Sequence, residues 1–362
     1  MYKSHALKIL LKNVGILGVV VVIGCAQTTS TTSTTVSEIR PSQCFENQMA
    51  FDIGSGSSKV LFATVDTCLQ KIEKVHWQDS FPLKIKESLK NNQNKIPDEM
   101  SASLITKIQI WKSRAGRRSV QRYKAVATEA FRKARNGSQF LKNVSAKTQV
   151  PIRIIDHLEE GHLGFWSALA KGQLSAQDVV VWDIGGGSMQ ITSLSKKNLL
   201  KSYLGPMGAV SFKDQILKMK RDHLPMTSNI PQLSPNPLGE HFSFKAIQMA
   251  QSFADEMISP EIKAEVKQKQ VVGIGGVHGK SILPRATEKE NAEVYTEPQL
   301  AKALQKYQSL SDAEIGGLYP ETDVTNMAMV LGFMRALRIQ EVKVVSVDLT
   351  YGLLTLPDSK PH

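Results

Sequence analysis

The chain has 362 residues, 41% hydrophobic and 22% charged, a balance that belongs to a folded globular protein long enough for two lobes. Its 45 lysines and arginines against 33 acids leave a formal charge of +12, a field that favours anionic ligands. The three cysteines show no zinc-like cysteine–histidine spacing, and no recognisable nucleic-acid module is present, so specific nucleic-acid binding is not expected.

Residues 1–24 stand apart from that body. Lys3, Lys8 and Lys12 precede an apolar run from Val14 to Gly24, too short to span a bilayer comfortably. The run closes on Val22-Ile23-Gly24-Cys25, which resembles a bacterial lipobox. In such signals cleavage falls before the cysteine, so Cys25 is the expected lipidation site; an uncleaved anchor helix or plain secretory signal is the alternative. A Thr/Ser-rich tract lies within 25–45, which reads as a polar tether. The expected location is the cell envelope, lipid-anchored and facing the periplasm. Ala26, not an aspartate, favours the outer membrane. Without the three signal lysines, 42 basic residues still face 33 acidic ones.

Met49–Asp66, MAFDIGSGSSKVLFATVD, reads as a strand, a turn with Asp52, Gly54, Ser55, Gly56 and Ser57, and an apolar return strand. Glycine lets backbone approach an anion with no Cβ in the way, and consecutive N–H groups line a phosphate-sized concavity. Cys44 and Cys68 flank this hairpin and form an even pair in an oxidising compartment. With the turn centred near Ser55 and Gly56 they fall nearly opposite each other, which predicts a disulfide; two buried free thiols are the alternative. Lys71 to Gln93 reads as a strand and then a loosely ordered polar connection, and Met100 to Ser113 as a helix with Leu104, Ile108 and Trp111 on one face. The basic run Lys112, Arg114, Arg117, Arg118, Arg122 and Lys124 is either a solvated face or an anion-binding one. Tyr123–Thr128 is a strand leading into Glu129-Ala130-Phe131-Arg132, and Ile152–Ile155 a strand leading into Asp156-His157-Leu158-Glu159-Glu160-Gly161. Strand ends that open a helix are where α/β sheets present ligand contacts.

Val179–Ser193, VVVWDIGGGSMQITS, repeats the first hairpin: a buried strand, Asp183, then Gly185, Gly186, Gly187 and Ser188, then a returning strand. Two such hairpins about 130 residues apart indicate an internal duplication. Beyond it, Gln270–Gly276 reads as a buried strand, Asp323 to Arg338 as a long helix, and Val342–Val347 as the last strand; His278 reads as structural, with a phosphate contact as the alternative.

Two half-clamps facing one polyanion are the phosphate-binding plan of the actin, Hsp70 and sugar-kinase superfamily. Over residues 46–356 the chain resembles the Ppx/GppA phosphatases more narrowly. Thr128–Arg132 is similar to their A-T-x-A-L-R, Glu159-Glu160 to their paired glutamates, and Gly205–Val210 to their L-P-x-G-A-V. The resemblance implies a two-lobed, duplicated, ribonuclease H-like α/β fold with lobes over 46–176 and 177–356, and a tail over 357–362. It also implies a phosphoanhydride hydrolase of the exopolyphosphatase type, with polyphosphate or a nucleotide as substrate. Asp52 and Asp183 would hold Mg²⁺ or another divalent cation. Gly54–Ser57, Gly185–Ser188 and Arg132 would bind phosphate, and Glu160 would serve the attacking water. A homodimer is compatible with it. Gly161, Gly164, Trp166 and Gln190 resemble apyrases instead, which keeps an exported nucleoside di- or triphosphatase open. Substitutions at Gly56, His162, Gln190 and Tyr351 keep open a weakened enzyme that binds a polyanion or partner protein.

Overall fold

The computed structural model describes residues 44–223, 234–289 and 291–356. The expected signal peptide, the expected lipidation site Cys25, the expected tether up to residue 43 and the tail over 357–362 lie outside the described residues. No described helix is long and apolar enough to cross a membrane.

The first lobe is built from β1 (Phe45–Ile53), β2 (Ser57–Asp66), β3 (Lys71–Pro82), α1 (Ile85–Asn91), α2 (Asp98–Arg114), β4 (Arg122–Ala127), α3 (Glu129–Lys133), α4 (Gly137–Thr148) and β5 (Ile152–Ile154). Helix α5 (His157–Gly172) leads to β6 (Val179–Ile184), β7 (Met189–Leu194), β8 (Leu200–Gly205), α6 (Ala209–His223), α7 (Gly239–Met257), α8 (Pro260–Gln268) and β9 (Gln270–Ile274). A π turn over Val277–Ile282 is followed by α9 (Leu283–Thr287), β10 (Val294–Thr296), α10 (Glu297–Tyr307), α11 (Asp312–Ile315), α12 (Pro320–Leu337), β11 (Glu341–Val344) and α13 (Leu349–Thr355).

The two sheets repeat one plan. Their strand orders are β3-β2-β1-β4-β5 and β10-β11-β9-β6-β7-β8. In each, an antiparallel meander (β1–β3, β6–β8) joins a parallel pair (β4 and β5, β9 and β11), and β10 adds an antiparallel edge. Strands β1 and β6 lie inside their sheets, so both carry runs of buried residues, as strands covered on two faces do. Phe51, Phe62, Trp111 and Phe131 centre the first core; Trp182, Phe212 and Phe333 centre the second.

The helices at the lobe junction trade places. Helix α5 follows the last strand of the first sheet yet packs on β6, β7 and β9, and α13 follows the last strand of the second yet packs on β1 and β2. The two also pack on each other, with the Gly352 amide donating to Ser167 Oγ at 2.7 Å. Each lobe is thereby completed by a helix from the other half of the sequence.

The connection after β3 is not a loose polar stretch but contains α1. Buried Ile85 and Leu89, one helical turn apart, anchor it to the first core despite its lysines. Cys44 and Cys68 are disulfide-bonded across the base of the first hairpin, where β1 and β2 begin pairing at Phe45 and Asp66. Constraining 24 residues of sequence separation in the unfolded chain is worth roughly 3 kcal/mol. The Cys44→Ala/Cys68→Ala variant should therefore show a lower denaturation midpoint by about that free energy. Free thiols in protein kept under oxidising conditions would contradict the bond.

Candidate active site

Both hairpin turns are built alike. The Gly54 amide donates to the Ser57 carbonyl at 3.0 Å, and the Gly185 amide to the Ser188 carbonyl at 2.9 Å. The turn carbonyls are tied from behind by helix starts. Leu83 and Lys84 donate to Gly56 O and Lys86 to Ser55 O, while Ala209 and Val210 donate to Gly185 O and Gly186 O. The Gly205–Val210 segment thus serves as the backing of the second turn. Among the described residues no acceptor takes the amides of Ser55, Gly56, Gly186 or Gly187. Backbone donors left without partners on adjacent turn residues are the elements of an anion nest.

The strands that enter the turns each carry an aspartate. Asp52 is the cross-strand partner of Lys59, and its Oδ2 accepts from Lys59 Nζ at 2.9 Å. The equivalent pair in the second hairpin is Asp183 and Gln190. Burial raises the Asp52 carboxyl, Lys59 opposes this, and Asp348 adds to it. Asp183 is pushed up to about 6 by burial, with Lys59 opposing and Asp52 contributing. Although burial works against its charge, Lys59 is held above the ordinary lysine range by Asp52, Asp348 and Asp183.

The two glutamates of α5 separate. Asp156 caps the helix by accepting from the Glu159 amide at 2.8 Å, and Glu159 pairs outward with Arg153. Glu160, with 13% of its side chain exposed, accepts from Arg132 at 2.8 Å. Arg132 also donates to Ile155 O at 2.7 Å. Its guanidinium therefore orients Glu160, a partner that the reading of Arg132 as a phosphate ligand did not include. Burial lifts the Glu160 carboxyl to about 7, with Arg132 opposing and Asp183 and Asp52 adding.

Close approach explains the glycines of this region. A Cβ at Gly275, which has φ of +83°, would lie 2.5 Å from Asp183 Oδ1. At Gly161 it would lie 3.1 Å from Thr192 Oγ1 and 3.3 Å from Gln190 Cγ. Gly161 and Gln190 are thus one packing solution between α5 and β7.

Asp52, Asp183, Asp348 and Glu160 interact here with two cations, Lys59 and Arg132. The surplus negative charge, and carboxyls raised by burial, fit one divalent cation held by Asp52 and Asp183. Asp52 would share its charge with Lys59. Sequence reasoning missed Lys59 and Asp348. The first was legible as the residue opposite Asp52 across a four-residue turn; the second only fills a cap position, accepting from the Thr350 amide.

Other candidates resolve into structure. His278 is fully buried, bonds Tyr295 at 2.7 Å and is pushed down to about 3 by burial. In the basic run, Lys112 donates to Thr148 O, Arg114 lies over Trp77, Arg122 pairs with Glu46 and Lys124 donates to Leu356 O.

Residues 66–233 match the sequence model of the Ppx/GppA phosphatase family. The crystal structure of the Aquifex aeolicus member of that family superposes with a TM-score of 0.67 at 17% identity, over 86% of this chain and 97% of that one. An exopolyphosphatase from Cytophaga hutchinsonii gives 0.63 at 13% identity, over 85% of this chain and 96% of that one. These likenesses establish the two-lobed α/β fold. No curated protein matches the chain.

The raised carboxyls fix a pH dependence. A carboxyl raised on folding makes the native state bind more protons than the unfolded one, so its contribution to stability falls as pH rises. For Asp183 and Glu160 the window runs from about 4, the unfolded value, to about 6 and about 7. Thermal melts should show Mg²⁺ stabilising the protein more at pH 8 than at pH 5. Asp183→Asn should raise the metal-free midpoint at pH 8 and remove most of the Mg²⁺ gain; an undiminished gain would contradict the assignment.

Proposed function

We propose that this chain, whose residues 66–233 belong to the Ppx/GppA phosphatase family, is an exported phosphoanhydride hydrolase that releases phosphate from polyphosphate. The observation that carries this reading is Glu160, a buried carboxylate oriented by Arg132 and within electrostatic reach of Asp52 and Asp183, which lead into two turns with unpartnered amides.

Hydrolysis of a phosphoanhydride needs an in-line water, a base to orient it and accept its proton, and fixed positive charge for the phosphoryl oxygens. Glu160 orients the water and takes its proton. The amides of Ser55, Gly56, Gly186 and Gly187 bind the phosphate oxygens, and Gly54, Ser57, Gly185 and Ser188 hold those turns in shape. Lys59 and Arg132 supply fixed positive charge beside them. Asp52 and Asp183 would hold Mg²⁺, which when bound would supply further charge neutralisation at the phosphates.

The lipobox at Cys25 supports attachment to the envelope, and the Cys44–Cys68 bond suits an oxidising compartment. A nucleoside di- or triphosphate is the second substrate reading, favoured by the apyrase-like Gly161 and Gln190, which pack against each other.

Phosphate release by the soluble domain with Mg²⁺ is the direct test, with polyphosphate, ATP, ADP and GTP offered separately. Polyphosphate cleavage supports the first reading and nucleotide cleavage the second; cleavage of neither by a protein that still binds polyphosphate makes it a binding protein. Glu160→Gln should lower kcat by about 10²–10⁴ with little change in KM. Because the base acts ionised, kcat/KM should fall tenfold per unit as pH drops below the Glu160 pKa, about 7 without metal and lower with it. An E160Q variant with the full wild-type rate would overturn the role.

A further inference from the structure

One buried carboxylate near the turns has no part in this chemistry. Glu129 opens α3 and is 5% exposed. Its Oε2 accepts from Ser55 Oγ at 3.3 Å and lies 3.6 Å from Lys86 Nζ; its Oε1 accepts from Lys133. Lys86 also donates to the carbonyl of Gly186, in the other lobe, at 3.3 Å. A Cβ at Gly187 would lie 2.2 Å from Glu129 Oε2 and 2.1 Å from Lys86 Nζ, so both groups fill the space against the second turn. A hydroxyl from one glycine turn and an ammonium that reaches the other are donors suited to a phosphate oxygen. Here they serve a side chain of the protein itself.

We propose that Glu129 is a resident anion at the junction of the two turns: a phosphate chain bridging both must take Ser55 and Lys86 from it. Glu129 therefore lowers the affinity for any linear phosphoanhydride that spans the turns and tunes the site toward ligands charged enough to replace a carboxylate. The phosphoanhydride reading of the site supplies the ligand class; the displacement follows from the contacts. Although burial works against its charge, the Lys133 hydrogen bond and the nearby Lys86 hold the Glu129 carboxyl below its ordinary range, so the competitor is ionised at neutral pH.

Calorimetric titration of tripolyphosphate with Mg²⁺ tests this in the Glu160→Gln background, where turnover is suppressed. Adding Glu129→Gln or Glu129→Ala should lower Kd about tenfold or more, and Ser55→Ala should remove much of that gain. An unchanged or higher Kd, or no binding by either protein, overturns the proposal. If both Glu129 variants fail to fold, Lys86→Met serves instead: a Kd raised about tenfold supports the shared donor, and an unchanged one overturns it. Tighter binding by the Glu129 variants alongside a wild type that releases no phosphate would remove the hydrolase reading and leave the resident anion intact.

Discussion

The structure depends on concentrating like charge where two hairpins meet. Asp52 interacts with Asp183, Asp348 and Glu160, and Lys59 and Arg132 offset only part of their repulsion. Buried carboxylates with too few cations cost stability. A fold keeps such a group when the raised pKa and the demand for a cation are useful to the chemistry. In the proposed mechanism, burial together with the neighbouring aspartates would give Glu160 a pKa near neutrality, and the same aspartates would attract the divalent cation.

Holding that crowd together falls to α5 and α13. Because each helix packs on the sheet of the other half, the lobes are joined by two crossing helices as well as by the chain link. Helix α5 brings Glu160 to the second hairpin, and the Asp348 cap of α13 brings a carboxylate to the first. The site is therefore a property of the crossing rather than of either lobe. The Gly161–Gln190 contact shows how closely the helix and hairpin fit, since a methyl group at residue 161 would crowd β7.

Much of this was legible in the residues. The paired D-I-G hairpins announced a duplicated fold, and the sheets repeat the same order of meander and parallel pair around them. The Cys44–Cys68 bond followed from hairpin arithmetic, since opposite positions on paired strands are fixed by the turn. Helix α1 was not legible: a short stretch rich in lysine has too little periodicity to declare itself, and only burial of Ile85 and Leu89 makes it helical. Lys86 was hidden with it.

The sequence by itself determined the local chemistry: glycines where backbone must approach an anion, an acid at the end of each central strand, and glutamates at the start of a helix. These depend on neighbours within a few residues, which the chain order displays. The tertiary structure decided which charges meet. Arg132 finds Glu160, Lys59 faces three aspartates, and Glu129 reaches Ser55 and Lys86 beside the second turn. Such pairings join residues tens of positions apart through helix crossings and sheet packing, and Coulomb interaction depends on that separation in space rather than along the chain.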